Sequence, residues 1–149
     1  MPDAQLNTHV KTPWHLWLVG ILGLLWSTMG ATDYFMTQTG NEAYLSNFTP
    51  EQLAFFLGFP SWVVATWAIA VWGGVLGTLL LLAKKKIAEW ILLASWLAMI
   101  ITAIHNFGFS NGVEIMGDPF SLTFTAAIFL IAMGLYLYAK AMRRRGVLK

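Results

Sequence analysis

Apolar residues along this chain gather into four long runs, separated by three polar breaks that differ in length and charge. The runs 13–36, 60–83, 87–105 and 121–141 each hold about the twenty residues a helix needs to cross a bilayer. Helices are the form such runs must take, because hydrocarbon offers no partner to an unpaired backbone group. Pro13 is well placed for the first turn of the first run. The pattern predicts an all-α fold: a four-helix transmembrane bundle forming one integral membrane domain over 1–149.

The shortest break is the most informative. Lys84, Lys85 and Lys86 lie directly between two apolar runs, which no soluble core accommodates. They fit a tight cytoplasmic turn between two spans. The other breaks, 37–59 and 106–120, contain Glu42, Glu51, Glu114 and Asp118 but no Lys or Arg. The tail carries Lys140, Arg143, Arg144, Arg145 and Lys149. This alternation predicts a multi-pass protein of the bacterial inner membrane with both termini and the lysine turn in the cytoplasm.

The first outer break is too long for a bare connection. Inside it Thr49-Pro50-Glu51-Gln52 reads as an N-cap, a proline at N1 and a glutamine at N3. Leu53, Phe56 and Leu57 then share a face, and Gly58 offers a stop. The spacing predicts a short interfacial helix over 50–57 with its aromatics inserted in the outer membrane face. No low-complexity segment, soluble domain or internal repeat stands out.

Composition agrees with lipid as the solvent. The 149 residues are 58% hydrophobic and 11% charged, against about a quarter charged in soluble domains. Mean hydropathy is +0.65. Apart from Lys11, every Lys and Arg falls in the lysine turn or the tail, so membrane orientation accounts for them and nucleic acid is not an expected partner. The absence of cysteine removes disulfides, thiolate metal sites and thiol chemistry. Met1–Thr12 is polar and weakly basic, unlike a signal peptide, so the first run is expected to remain as a span.

Small residues mark helix contacts. Gly20, Gly23, Ser27 and Gly30 form one stripe on the first span, and Gly73 and Gly77 a GxxxG pair on the second. Such stripes let backbones approach, within one bundle or between copies. Of eight tryptophans, Trp14, Trp17, Trp62 and Trp90 lie near span ends, where indoles sit among headgroups. Trp26, Trp67, Trp72 and Trp96 lie deeper; they read as large core fillers or as the lining of a cavity for quinone or lipid.

Ionisable residues inside lipid are costly and so are functional suspects. Asp33 lies about a turn from the outer end of the first span, His105 and Asn106 end the third, and Glu114 and Asp118 lie in the adjoining loop. A meeting of Asp33 and His105 would favour the imidazolium and suit pH sensing or proton relay. The alternative is a set of interfacial groups reaching water or capping helices. No two share a helical face at metal-ligand spacing, so no metal is expected. Glu89 suits the dipole of a helix start and pairing with Lys84–Lys86, and His15 reads as a solvated or headgroup-bonded interfacial imidazole. Asn47-Phe48-Thr49 is a coincidental sequon. No charge falls mid-span, and no phosphate loop, GxSxG or HExxH is present. A catalytic set is therefore not expected.

Leu57-Gly58-Phe59-Pro60-Ser61-Trp62, followed by Trp72-Gly73-Gly74-Val75-Leu76-Gly77-Thr78 and Leu79–Leu82, resembles the proline entry and Gly-Gly helix of the DoxX-like group of small bacterial four-helix membrane proteins. Members often carry a glutamate just before the paired glycines; Val71 and Trp72 stand there instead. The group's name comes from a subunit linked to thiosulfate oxidation and quinone reduction, and the resemblance extends to small proteins labelled as sugar transporters. Three functions are carried forward. The first is a non-enzymatic accessory or interaction subunit packing with itself or a larger membrane complex. The second is an oligomeric transporter or channel for small solutes such as sugars. The third is a quinone- or lipid-binding subunit of an oxidoreductase. No cofactor is required by any motif.

Overall fold

The structure, a computed structural model, describes residues 10–149; Met1–His9, most of the polar amino-terminal stretch, lie outside the described residues. Among the latter there are seven α-helices and one π-helical turn. Four are long and apolar enough to cross a membrane: α1 (Trp14–Gln38), α4 (Ser61–Leu82), α5 (Ile87–Ile104, extended by the π turn) and α7 (Pro119–Arg144). Three are short: α2 (Glu42–Leu45), α3 (Pro50–Leu57) and α6 (Gly112–Met116).

Cap chemistry sets the boundaries, and it moves several of them. α1 continues past Met36 and stops where Gly40 turns left-handed at φ 69°. There the Asn41 N–H donates to Met36 O at 3.1 Å and the Gly40 N–H to Thr37 O at 3.3 Å, the paired bonds of a glycine-terminated helix. α7 begins at Pro119 rather than Ser121, because Asp118 accepts the Ser121 N–H at 3.0 Å and Pro119 needs no partner at N1. α5 ends at Ile104 and widens into the π turn His105–Phe109. α2 and α6, too short to leave a periodic pattern, were not expected from sequence.

Two glycines that are neighbours in sequence serve opposite neighbours in space. A Cβ on Gly74 would stand 3.0 Å from Ser27 Oγ of α1, and one on Gly73 would stand 3.0 Å from Ser95 Cβ of α5. Gly77 abuts Leu92, Gly20 abuts Leu82, Gly23 abuts Leu135 and Thr78, and Gly30 touches Val71. The stripes on both helices are therefore occupied within the protomer, with α4 between α1 and α5. Close approach also permits interhelical hydrogen bonds. Ser95 Oγ donates to Ala70 O at 2.5 Å, and the Thr66 and Thr102 hydroxyls pair at 2.8 Å. Each contributes roughly 0.6–2 kcal/mol within a membrane.

The fourth helix is held differently. α7 packs mainly on α5 and returns to α1 through a narrow contact. In α1, α4 and α5 respectively 28%, 22% and 28% of the apolar span is buried against protein, but in α7 only 6%. No residue of α7 before Leu135 is buried. All four helices meet at the end bearing the lysine turn, where Leu16, Leu81, Leu92, Leu135, Met142 and Leu148 form one core.

That basic end is closed by the tail. Gly146, at φ 77°, reverses the chain after α7 and sends Val147 and Leu148 back into the core. The Lys149 N–H donates to Lys84 O at 2.8 Å, and the Lys86 N–H to Lys149 O at 3.1 Å. Lys84 itself adopts a left-handed φ of 59°, which tightens the turn between α4 and α5.

Candidate functional site

The sequence-predicted polar residues gather at the end opposite the lysines. The Gly40 turn folds α2 back beside α1, and Asn41 caps it by accepting the Tyr44 N–H at 2.9 Å. This sets the Tyr44 hydroxyl against Asp33, to which it donates a hydrogen bond. Burial, with the bond to Asp33 and its charge acting in the same sense, pushes the Tyr44 phenol well above its usual value. Tyr44 thus stays a neutral donor, and Asp33 gains a partner in place of water.

α3 carries a complete capping box. Gln52 N–H donates to Thr49 Oγ1 at 3.2 Å, and Thr49 N–H to Gln52 Oε1 at 3.1 Å. The cap aims α3 so that its aromatics join a chain of edge-to-face rings. Tyr44 meets Phe48, Phe48 meets Phe56, and Phe56 meets Phe59, with centroids 5.5, 5.9 and 5.9 Å apart. Phe59 then contacts both Trp67 and His105 at 5.9 Å, and Trp62 contacts His105 at 5.3 Å. The segment 42–59 is an aromatic lid over the ends of α4 and α5.

His105 is held between those rings and by Asn106, whose Oδ1 lies 3.1 Å from His105 Nδ1. Asp33 and His105 are therefore attached to opposite ends of the lid, and no hydrogen bond joins them. Asp118 is engaged in capping α7. Hydrogen bonds from Ser121, side chain first and then backbone, hold its carboxyl below the usual range. Glu114 is exposed on α6. Among the described residues no group of three or more His, Asp or Glu is placed to hold a metal ion.

The deep tryptophans lie in separate environments. Trp26 meets Phe124 of α7 at 5.7 Å, and Trp67 meets Tyr34 at 4.9 Å. Trp72 is 46% exposed and lines a shallow groove of about 190 Å³ with Thr28, Thr32, Phe35 and Val75. Trp96 stacks on Tyr136, and its Nε1 has no acceptor, alone among the buried side-chain nitrogens and oxygens of the described residues. A second groove of about 470 Å³, between Phe129 and the part of α5 far from the lysine turn, is lined by apolar side chains and the Gly108 backbone and includes none of these four indoles.

Sequence reasoning missed two pairings at the basic end. Glu89, 3% exposed, is bonded to Arg143 of α7 through both carboxylate oxygens, not to the lysine turn. Lysines 84–86 lie at the turn itself, whereas the first turn of α5 faces the last turn of α7. The other pairing is His15 Nδ1 with Tyr138 Oη at 2.5 Å, so one ring nitrogen of the half-buried His15 is engaged within the protein. A signal for the first was present: Glu89 is the one acidic residue between Glu51 and Glu114, and it lies on a basic side. No protein-family model, curated protein or solved structure matches the chain.

Proposed function

We propose that this protein is a non-enzymatic interaction subunit of the bacterial inner membrane, basic end in the cytoplasm, which associates laterally through α7 with a second copy or a larger membrane complex. The observation that carries the reading is Gly134. Gly20, Gly23, Gly73, Gly74 and Gly77 each have a neighbour within 3.0 Å of where a Cβ would stand. Gly134 sits in mid-span with nothing within 4 Å of where a Cβ would stand. It lies on an exposed stripe with Ala126, Leu130, Leu137 and Ala141, spaced along one helical face. Glycine in a helix interior costs about 1 kcal/mol relative to alanine, and no contact within the chain offsets that. Close approach of another helix is the usual reason for glycine at such a site. The aromatic lid would then lie at the outer interface, with α3 along the membrane surface.

The natural absence of cysteine makes the test direct. Leu130→Cys in native membranes is expected to give an oxidative crosslink, either a dimer or an adduct with another membrane protein. Leu79→Cys, exposed on α4, is expected to give none. Adding Gly134→Ile should abolish the Leu130→Cys product. Equal crosslinking at both positions, or none at Leu130, removes the proposal.

A further inference from the structure

We infer that the basic end is a docking surface for anionic phospholipid headgroups of the leaflet it faces. The inference goes beyond lateral association through α7 and shares with it only the membrane setting. It starts from the joining of the two basic segments. Backbone bonds between Lys149 and both Lys84 and Lys86 draw the tail against the turn, so cations distant in sequence occupy one face. Lys85, Lys86, Arg144, Arg145 and Lys149 are all exposed there.

Their charge is not compensated within the described chain. Among the described side chains Glu89 is the acid at that end, and its carboxylate is committed to Arg143 in the one ion pair among the described residues. Burying Leu148 fixes the tail backbone and leaves the Lys149 side chain on the outside. The remaining cations therefore present several unpaired donors that ask for an external anion.

Position selects the anion's source. α4 ends at Leu82, α5 begins at Ile87 and α7 ends at Arg144, so the cations stand within about a turn of the span ends. Trp14 and Trp90, 74% and 62% exposed at the same end, are suited to the layer where an indole meets both acyl chain and headgroup. A phosphodiester in that layer accepts from guanidinium in a forked pair and from ammonium as a point charge. A free phosphate could meet the same groups, but only a lipid also places its acyl chains beside the tryptophans.

The test uses the full chain in neutral detergent, with brominated phosphatidylglycerol or phosphatidylcholine added to the micelles and tryptophan quenching as readout. Phosphatidylglycerol is expected to associate at least about fivefold more strongly at low salt, the effect of a single near-surface cation. The preference should shrink toward unity at high salt. Replacing four residues together, Lys85→Gln, Lys86→Gln, Arg144→Gln and Arg145→Gln, should remove it while leaving melting in phosphatidylcholine unchanged. If that variant misfolds, the salt series on the native chain still decides. Equal quenching by the two lipids, or a preference insensitive to salt, overturns the inference. So does a preference abolished by inorganic phosphate or by polyglutamate at an ionic strength where sodium chloride leaves it intact, since either would mark a soluble anion or an acidic protein as the partner. Absence of any Leu130→Cys crosslink in native membranes would defeat the α7 proposal and leave this result standing.

Discussion

Glu89 and Arg143 lie 54 positions apart and meet because α5 starts, and α7 ends, at the same end of the molecule. An acid 3% exposed is tolerated only with a partner that satisfies it. Arg143 remains 38% exposed, which lowers the local penalty and the worth of the pair below that of a fully dry bridge. Arg143→Met is expected to destabilise the protein, by less than in fully buried cases, because it strands the carboxylate. Glu89→Gln with Arg143→Met together should recover most of that loss. Reversible unfolding in mixed micelles measures the cycle; strictly additive losses would mean the two groups do not act as a unit. The same scale explains what was hidden in the sequence. The Tyr44 partner of Asp33 was not legible, since the contact depends on a left-handed Gly40 bending α2 back. The small stripes were legible as contact faces, but their partners were not: Gly73 and Gly74 differ by one position and face different helices.

Among elements, legibility follows how local the determining chemistry is. The capping box at Thr49 and Gln52 involves residues three apart, and α3 occupies 50–57 with that box formed. The four long helices were readable from apolar runs alone, while their ends shifted by as much as three residues where a cap outweighed hydropathy. Asp118 is the clearest case: expected either as a candidate site carboxylate or as a helix cap, it is the N-cap of α7. Its depressed pKa fixes the sign of a pH effect. The capping contribution is fully present above the ordinary carboxyl value of about 3.9. It is lost as pH falls through the lower value of the folded state. The first turn of α7 should therefore loosen in acid, seen as faster amide exchange near Ser121. Asp118→Asn, which caps without titrating, should lack that acid limb. An identical pH profile in the two proteins would contradict the assignment.

For the whole molecule, packing is graded from one end to the other. In hydrocarbon the hydrophobic effect does not drive helix against helix, so cohesion comes from close backbone approach, interhelical hydrogen bonds and the core at the basic end. Leu148 belongs to that core, where water rather than lipid is the alternative environment. Leu148→Ala is expected to cost about 2 kcal/mol, at the low end for large-to-small core changes. Leu57→Ala, 56% exposed at the far end, should stay within about 0.5 kcal/mol. Thermal melting in detergent compares them directly, and equal shifts would show that the tail is not an anchor. This closure was invisible beforehand, because a four-residue tail carries no periodicity and its partners lie some sixty positions upstream.

Gly146 also determines where an extension would travel. A tether joined after Lys149 starts beside the α4–α5 hairpin, not along the axis of α7. A reporter or affinity handle placed there would start beside Lys84 and Lys86, and a short linker would hold it near the basic end of the bundle. A handle meant to hang clear in the aqueous phase needs a longer spacer at this site than helix geometry alone suggests.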